Sequence, residues 1–239
     1  MTEPLLLAVV RVSTFAGELA LTAASGFFFE RDGRLFLVTA RHVLVDQPSG
    51  HHPDRIELTL HTDAVDLTRT ARMSVPLYQD RKSRWRQGKD SGGEIDVAVL
   101  ELDRALLPKS VELRAFTPAN LQDELAQIRI GTPLLVVGFP LGFYDTVHHL
   151  PVARQASVAS AFGVRFQEHG HFLTDARIHR GASGAPVVMF DPGAGAALPW
   201  RLLGIHSARM DMGTRVEGVD ETLGLNAAWY ADILKTLTA

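Results

Sequence analysis

At 239 residues, 46% of them hydrophobic, the chain is long enough to bury a substantial core as one folded unit. A net charge of −3 and a pI near 6.4 supply no basic field that would make nucleic acid an expected partner. Cysteine is absent, which rules out a disulfide framework and fits a reducing compartment.

The apolar run at residues 5–12 is short and lacks a positive leader, so it reads as a first strand rather than a signal peptide. No stretch approaches the roughly 18 apolar residues that a membrane helix needs. The expectation is a cytoplasmic protein with no membrane partner. Apolar or alternating stretches at 18–30, 34–39, 55–62, 70–77 and 95–102 follow, separated by Gly, Pro and Asp clusters, and complete a first set of strands. Within this half, residues 81–89 crowd Arg81, Lys82, Arg84, Arg86 and Lys89 around Trp85 and read as a solvated loop. Pro108, Pro118 and a short helical pattern at 121–125 mark a connection. Strands are then expected near 132–138, 151–160, 162–167, 171–176, 185–190, 199–206 and 222–226. Trp229, Ile233 and Leu237 recur at helical spacing and predict a closing helix. The pairs His51-His52, His148-His149 and His169-x-His171 lack ligand spacing to acids, so neither metal nor cofactor is expected.

Three motifs carry chemistry. Arg180-Gly181-Ala182-Ser183-Gly184-Ala185-Pro186 sets a serine between glycines, just ahead of the apolar Val187-Val188. Glycine permits backbone angles that other residues resist and leaves room for a substrate carbonyl. The apolar strand Leu35-Phe36-Leu37-Val38 runs into Thr39-Ala40-Arg41-His42, which places an imidazole at a strand end. Asp96 interrupts an otherwise core-like strand at Ile95-Asp96-Val97-Ala98-Val99, and a carboxylate there must be solvated, paired or hydrogen-bonded. Singly these are a helix-end histidine, a strand-start cap and a turn serine. Jointly, in the order His42, Asp96, Ser183, they read as a catalytic triad. An α/β-hydrolase would need the order Ser, acid, His and a glycine where Ala185 stands.

With these motifs the chain resembles the trypsin-like serine peptidases, closest to their bacterial high-temperature-requirement branch. Val136-Val137-Gly138-Phe139-Pro140-Leu141-Gly142 and Leu203-Gly204-Ile205-His206-Ser207 extend the likeness over about residues 20 to 210. The resemblance implies an all-β fold of two six-stranded antiparallel Greek-key barrels of the chymotrypsin type with a C-terminal helix. It divides a single domain, 1–239, into a first barrel at 1–105, a crossover at 106–126, a second barrel at 127–226 and a helix at 227–239. No room remains in 239 residues for an appended PDZ domain. The implied activity is a serine endopeptidase acting on protein or peptide substrates, with the amides of Gly181 and Ser183 as oxyanion hole. Ala182 departs from the family pattern, which has Asn or Asp there. It cannot pair with a processed N-terminus, so the hole must be held by local packing.

Arg177 stands six residues before Ser183, where trypsin carries the acid of its specificity pocket. His206 resembles the histidine that reads Glu or Gln in glutamyl endopeptidases and picornaviral proteases. Arg177, His206 and Ser207 are therefore candidate substrate-binding residues for Glu, Gln or another polar residue before the scissile bond. The alternative is a latent or inactive protease-fold module that acts through a partner protein, and a latent enzyme would need an activating partner.

Overall fold

The structure, a computed structural model, describes residues 2–122, 124–195, 197–210 and 224–239. After a 3-10 turn at Pro4–Leu7, the first half runs β1 (Val9–Ala16), β2 (Leu19–Arg31), β3 (Arg34–Thr39), the one-turn α1 (Arg41–Leu44), β4 (Arg55–His61) and β5 (Thr70–Pro76). A small hairpin of β6 (Tyr78–Gln79) and β7 (Lys82–Ser83) precedes β8 (Trp85–Asp90) and β9 (Gly93–Leu102). The main strands form one seven-stranded sheet in the order β5-β4-β1-β2-β3-β9-β8. In the second half β10 (Pro133–Gly138), β11 (Val152–Val158), β12 (His171–Asp175), β13 (Pro186–Phe190), β14 (Trp200–Arg209) and β15 (Leu225–Tyr230) close a six-stranded antiparallel barrel.

The alternation of β2 explains how the halves meet. Successive side chains of a strand point to opposite faces. Phe28 therefore enters the first core with Val12, Leu35, Leu37 and Leu100. Phe27 and Phe29 face the other way, into a cluster shared with Val137, Phe139, Val188, Leu202 and Trp229. All three phenylalanines are almost wholly buried. At about 25 cal/mol per Å² of apolar surface removed from water, this double-faced strand is a main fastening between the halves. The second barrel fills its own interior with Leu134, Val136, Val158, Phe172, Val187 and Leu203.

Several expectations are corrected. The first sheet has seven strands rather than six, because β8 pairs with β9 through Trp85↔Leu100 and Arg86↔Val99. The supposed solvated loop thus contains an edge strand: Trp85 is buried in the first core while Arg86 and Gln87 are exposed. The run at 5–12 opens as the 3-10 turn, and only from Val9 is it a strand. Residues 162–167 form turns with a single bridge, Phe166↔His169, rather than a strand. The expected strand at 222–226 falls partly on residues 222 and 223, outside the described residues, and Asp123 of the helical pattern at 121–125 lies outside them too. Short 3-10 turns at Pro118–Asn120 and Leu125–Gln127 flank that pattern.

The C-terminal helix is shorter than expected. β15 extends through Tyr230 and pairs on both sides, with β12 and β14, so residues 227–230 belong to the barrel. A 3-10 turn at Ala231–Ile233 and α2 (Leu234–Leu237) follow. Trp229 keeps helical spacing to Ile233 but spends its side chain on the inter-barrel cluster from a strand. A short apolar run does not reveal its period when barrel closure decides it.

Candidate active site

Strand register brings the acid to the base. β3 ends at Thr39, opposite Ala98 of β9, so Asp96 lies two residues beyond the last pair, beside α1 and His42. The His42 backbone N–H donates to Asp96 Oδ1 at 2.9 Å, and the ring Nδ1 lies 2.7 Å from Asp96 Oδ2. An ionised carboxylate only accepts, so Nδ1 carries the proton and Nε2 is left as a base. Ser207 Oγ donates to Asp96 Oδ2 at 2.5 Å. Burial by itself would push the His42 imidazole down, but the hydrogen bond and charge of Asp96 outweigh it and hold it above its ordinary value. Burial would likewise raise the Asp96 carboxyl, yet His42 and the Ser207 hydroxyl hold it below the usual carboxylate range.

Ser183 is half-buried on the turn leading into β13. Its Oγ donates to the carbonyl of Ser207 at 3.2 Å, and no hydrogen bond joins it to His42. Ser207 thus touches both halves of the constellation, its hydroxyl on Asp96 and its carbonyl on Ser183. Gly181 and Gly184 adopt φ of +90° and +84°, which side chains resist. A Cβ on Gly181 would stand 2.6 Å from Phe139 O, so the turn needs glycine for space as well as angle. Arg180 O accepts from Leu141 N–H at 2.5 Å. In a planar trans peptide the Gly181 N–H points opposite to that carbonyl. Among the described residues the N–H groups of Gly181 and Ser183 have no acceptor. Two free, neighbouring amides are what a developing oxyanion requires.

The expected specificity residues are dispersed. Arg177 lines a cleft of about 540 Å³ together with Asp175, His179, Arg209 and Leu225. His206 is not among its lining residues: it is buried in β14, and among the described residues its Nδ1 has no partner. Burial, helped by nearby His42, pushes the His206 imidazole down to about 4, so the ring is neutral at pH 7. Ser207 spends its hydroxyl on Asp96 rather than on a cleft wall. A larger cleft of about 690 Å³, lined by Arg34, Asp80, Arg84 and Glu101, holds none of these residues. Among the described residues no group of three His, Asp or Glu side chains is placed to hold a metal ion.

One residue of the site escaped the sequence reading. Ser25 of β2 donates its hydroxyl to Gly181 O at 2.8 Å. Its only signal in the sequence is a polar side chain at the head of the buried run Gly26-Phe27-Phe28-Phe29.

Residues 24–194 match the family described as "Trypsin-like peptidase domain". The chain is 25% identical over 181 residues to Serine protease HTRA1B of Danio rerio, a match covering 76% of this chain and 31% of that protein. Among solved structures it is similar to the HtrA-type protease AlgW with tripeptide, at TM-score 0.58 and 18% identity, covering 98% of this chain and 59% of that one. It is also similar to the serine endoprotease from Yersinia pestis, at TM-score 0.59 and 17% identity, covering 98% and 62%. At these identities the structural likeness is one of fold.

Proposed function

The chain belongs to the trypsin-like peptidase domain family, and from that premise we propose that it is a serine endopeptidase working through His42, Asp96 and Ser183. Its substrates are proteins or peptides. Ser183 turns from Ser207 O toward His42 as substrate arrives; catalytic hydrogen bonds often tighten only in the complex. Oγ then attacks the scissile carbonyl carbon while His42 Nε2 takes its proton. The C–N bond breaks as that proton passes to the leaving amine, and water hydrolyses the acyl-enzyme with His42 again as base. Asp96 holds the tautomer and stabilises the imidazolium. The amides of Gly181 and Ser183 meet the oxyanion, each worth roughly 3 kcal/mol of barrier.

The observation that carries this reading is the conjunction of a fully bonded Asp96–His42 pair with two unengaged amides around Ser183. Hydrolysis of a denatured protein substrate by wild type and Ser183→Ala tests it. The mutant should be inert yet fold with unchanged circular dichroism; wild-type turnover by the mutant ends the reading.

For the residue before the scissile bond we infer a preference for Glu, Gln or another polar residue. Arg177 and Arg209 line one cleft together with Asp175 and His179, and the two guanidiniums favour a carboxylate or an amide oxygen there. A peptide-library profile restricted to Arg or to small aliphatic residues would exclude this preference. The latent or binding-only alternative has one observation in its favour, the resting bond of Ser183 Oγ to Ser207 O. The absence of cysteine from the sequence supports a reducing, cytoplasmic setting.

A further inference from the structure

Ser25 is completely buried, and a buried hydroxyl without partners is costly. It finds its partners in the other barrel. The hydroxyl donates to Gly181 O at 2.8 Å and accepts from Phe139 N–H at 2.9 Å. The Ser25 N–H donates to Ser183 O at 3.0 Å, and its carbonyl accepts from Thr39 Oγ1 at 2.8 Å. One residue of the first sheet therefore engages both residues whose amides stand free.

The four consecutive carbonyls from Arg180 to Ser183 are all tied. Arg180 O accepts from Leu141 N–H, Gly181 O from Ser25 Oγ, Ala182 O from Ala185 N–H and Ser183 O from Ser25 N–H. Because each peptide is planar, the tie on Arg180 O sets the Gly181 N–H and the tie on Ala182 O sets the Ser183 N–H. Two of the four ties come from Ser25, and they brace the neighbouring peptides, Gly181–Ala182 and Ser183–Gly184, on which the free amides hinge. A third, Leu141 N–H, belongs to the segment that Ser25 grips through Phe139. The space around the residue is shaped for this role: a Cβ on Gly138 would collide with Ser25 Oγ, and one on Gly184 with Ser25 O. Ala182 is buried and brings no polar side chain.

We propose that Ser25 is the positioning residue that keeps the oxyanion hole standing. Its hydroxyl pins the Gly181–Ala182 peptide that lies between the two free amides. Through Phe139 it also grips the segment whose Leu141 N–H holds the Arg180–Gly181 peptide with the Gly181 amide turned to the site, where Ala182 has no acid to do so. The proposal rests on the endopeptidase reading above. Ser25 touches no reacting atom and acts through Gly181 and Ser183.

The test compares wild type, Ser25→Ala and Thr39→Val. Thr39→Val deletes a buried hydrogen bond to the same residue but leaves the Ser25 hydroxyl and its two partners. Folded Ser25→Ala should lose about 10- to 100-fold in kcat and in fluorophosphonate labelling rate, with KM changed less than about 3-fold. Its affinity for a peptide aldehyde, whose hemiacetal oxyanion needs the hole, should fall in parallel. Thr39→Val should keep kcat within about 3-fold of wild type. Wild-type kcat in folded Ser25→Ala, or equal losses in the two variants, overturns the proposal. Should Ser25→Ala not fold, Ser25→Cys fills similar space with a weaker donor and must label more slowly; labelling at the wild-type rate overturns it. A wild type that never labels overturns the endopeptidase reading, and this proposal with it.

Discussion

The two sides of the site are held by different physics. On the first-sheet side, His42 and Asp96 are held by side chains and charge, with Asp96 accepting from the His42 backbone, the His42 ring and Ser207. On the second-barrel side, the turn around Ser183 is held by backbone carbonyls, and Ser25 is the side chain that reaches into it. The difference assigns each side a vulnerability. The charged side answers to pH and to isosteric substitution; the backbone side answers to added volume and to lost glycine.

The largest effect should come from breaking the charged side. Asp96→Asn keeps the shape but presents an amide that can donate to Nδ1 and so favour the wrong tautomer. The expected loss is about 10⁴-fold in kcat with the fold intact, read by steady-state kinetics and circular dichroism. A loss below tenfold would mean that Asp96 is only a structural cap. The backbone side is broken by Gly181→Ala, which imposes a Cβ 2.6 Å from Phe139 O at φ +90°. It should cost about 10²- to 10³-fold in kcat and lower Tm, because the peptide must shift to admit the methyl. An unchanged kcat would place the oxyanion elsewhere.

Beneath both sides lies His206, and its effect is on stability. Its folded pKa of about 4 lies below the ordinary histidine value of 6.5, so the fold prefers the neutral ring. Stability from this group is therefore full above pH 6.5 and is lost as pH falls toward 4. The loss should be about 3 kcal/mol over that window. Urea unfolding at pH 7 and pH 4 should show this slope in wild type and a flatter one in His206→Leu; equal slopes would refute the assignment. The smallest effect is a shift in the acid limb of kcat/KM. Catalysis needs neutral His42, whose pKa is raised, so activity should rise with pH through a midpoint above 6.5. In Asp96→Asn that midpoint should move down, since the raising charge is gone. A limb that stays put would detach the profile from His42.

The sequence was most informative where function is written in contiguous residues. Thr39-Ala40-Arg41-His42, Ile95-Asp96-Val97 and Gly181-Ala182-Ser183-Gly184 each carry their role locally, because a strand end, an interrupted strand and a glycine turn leave short-range marks. It was least informative where a role depends on a distant partner. Ser25 meets Gly181 across 156 positions, and nothing near either residue announces the contact. Ser207 was visible as a candidate substrate-binding residue, but the direction of its hydroxyl toward Asp96, 111 positions away, was not. Residues 227–230 failed for the same reason, since only the pairing with β12 and β14 reveals a strand. Trp85 offered a weaker clue. A single aromatic among cations suits a solvated loop as well as an edge strand, until its ring is found buried in the first core.

An activated nucleophile at Ser183, facing a standing oxyanion hole, has a direct chemical signature. Fluorophosphonate labelling of wild type and Ser183→Ala, read side by side by intact mass, tests it most directly. Wild type should carry one adduct and the mutant none. No adduct on wild type, or an equal adduct on both, would contradict it.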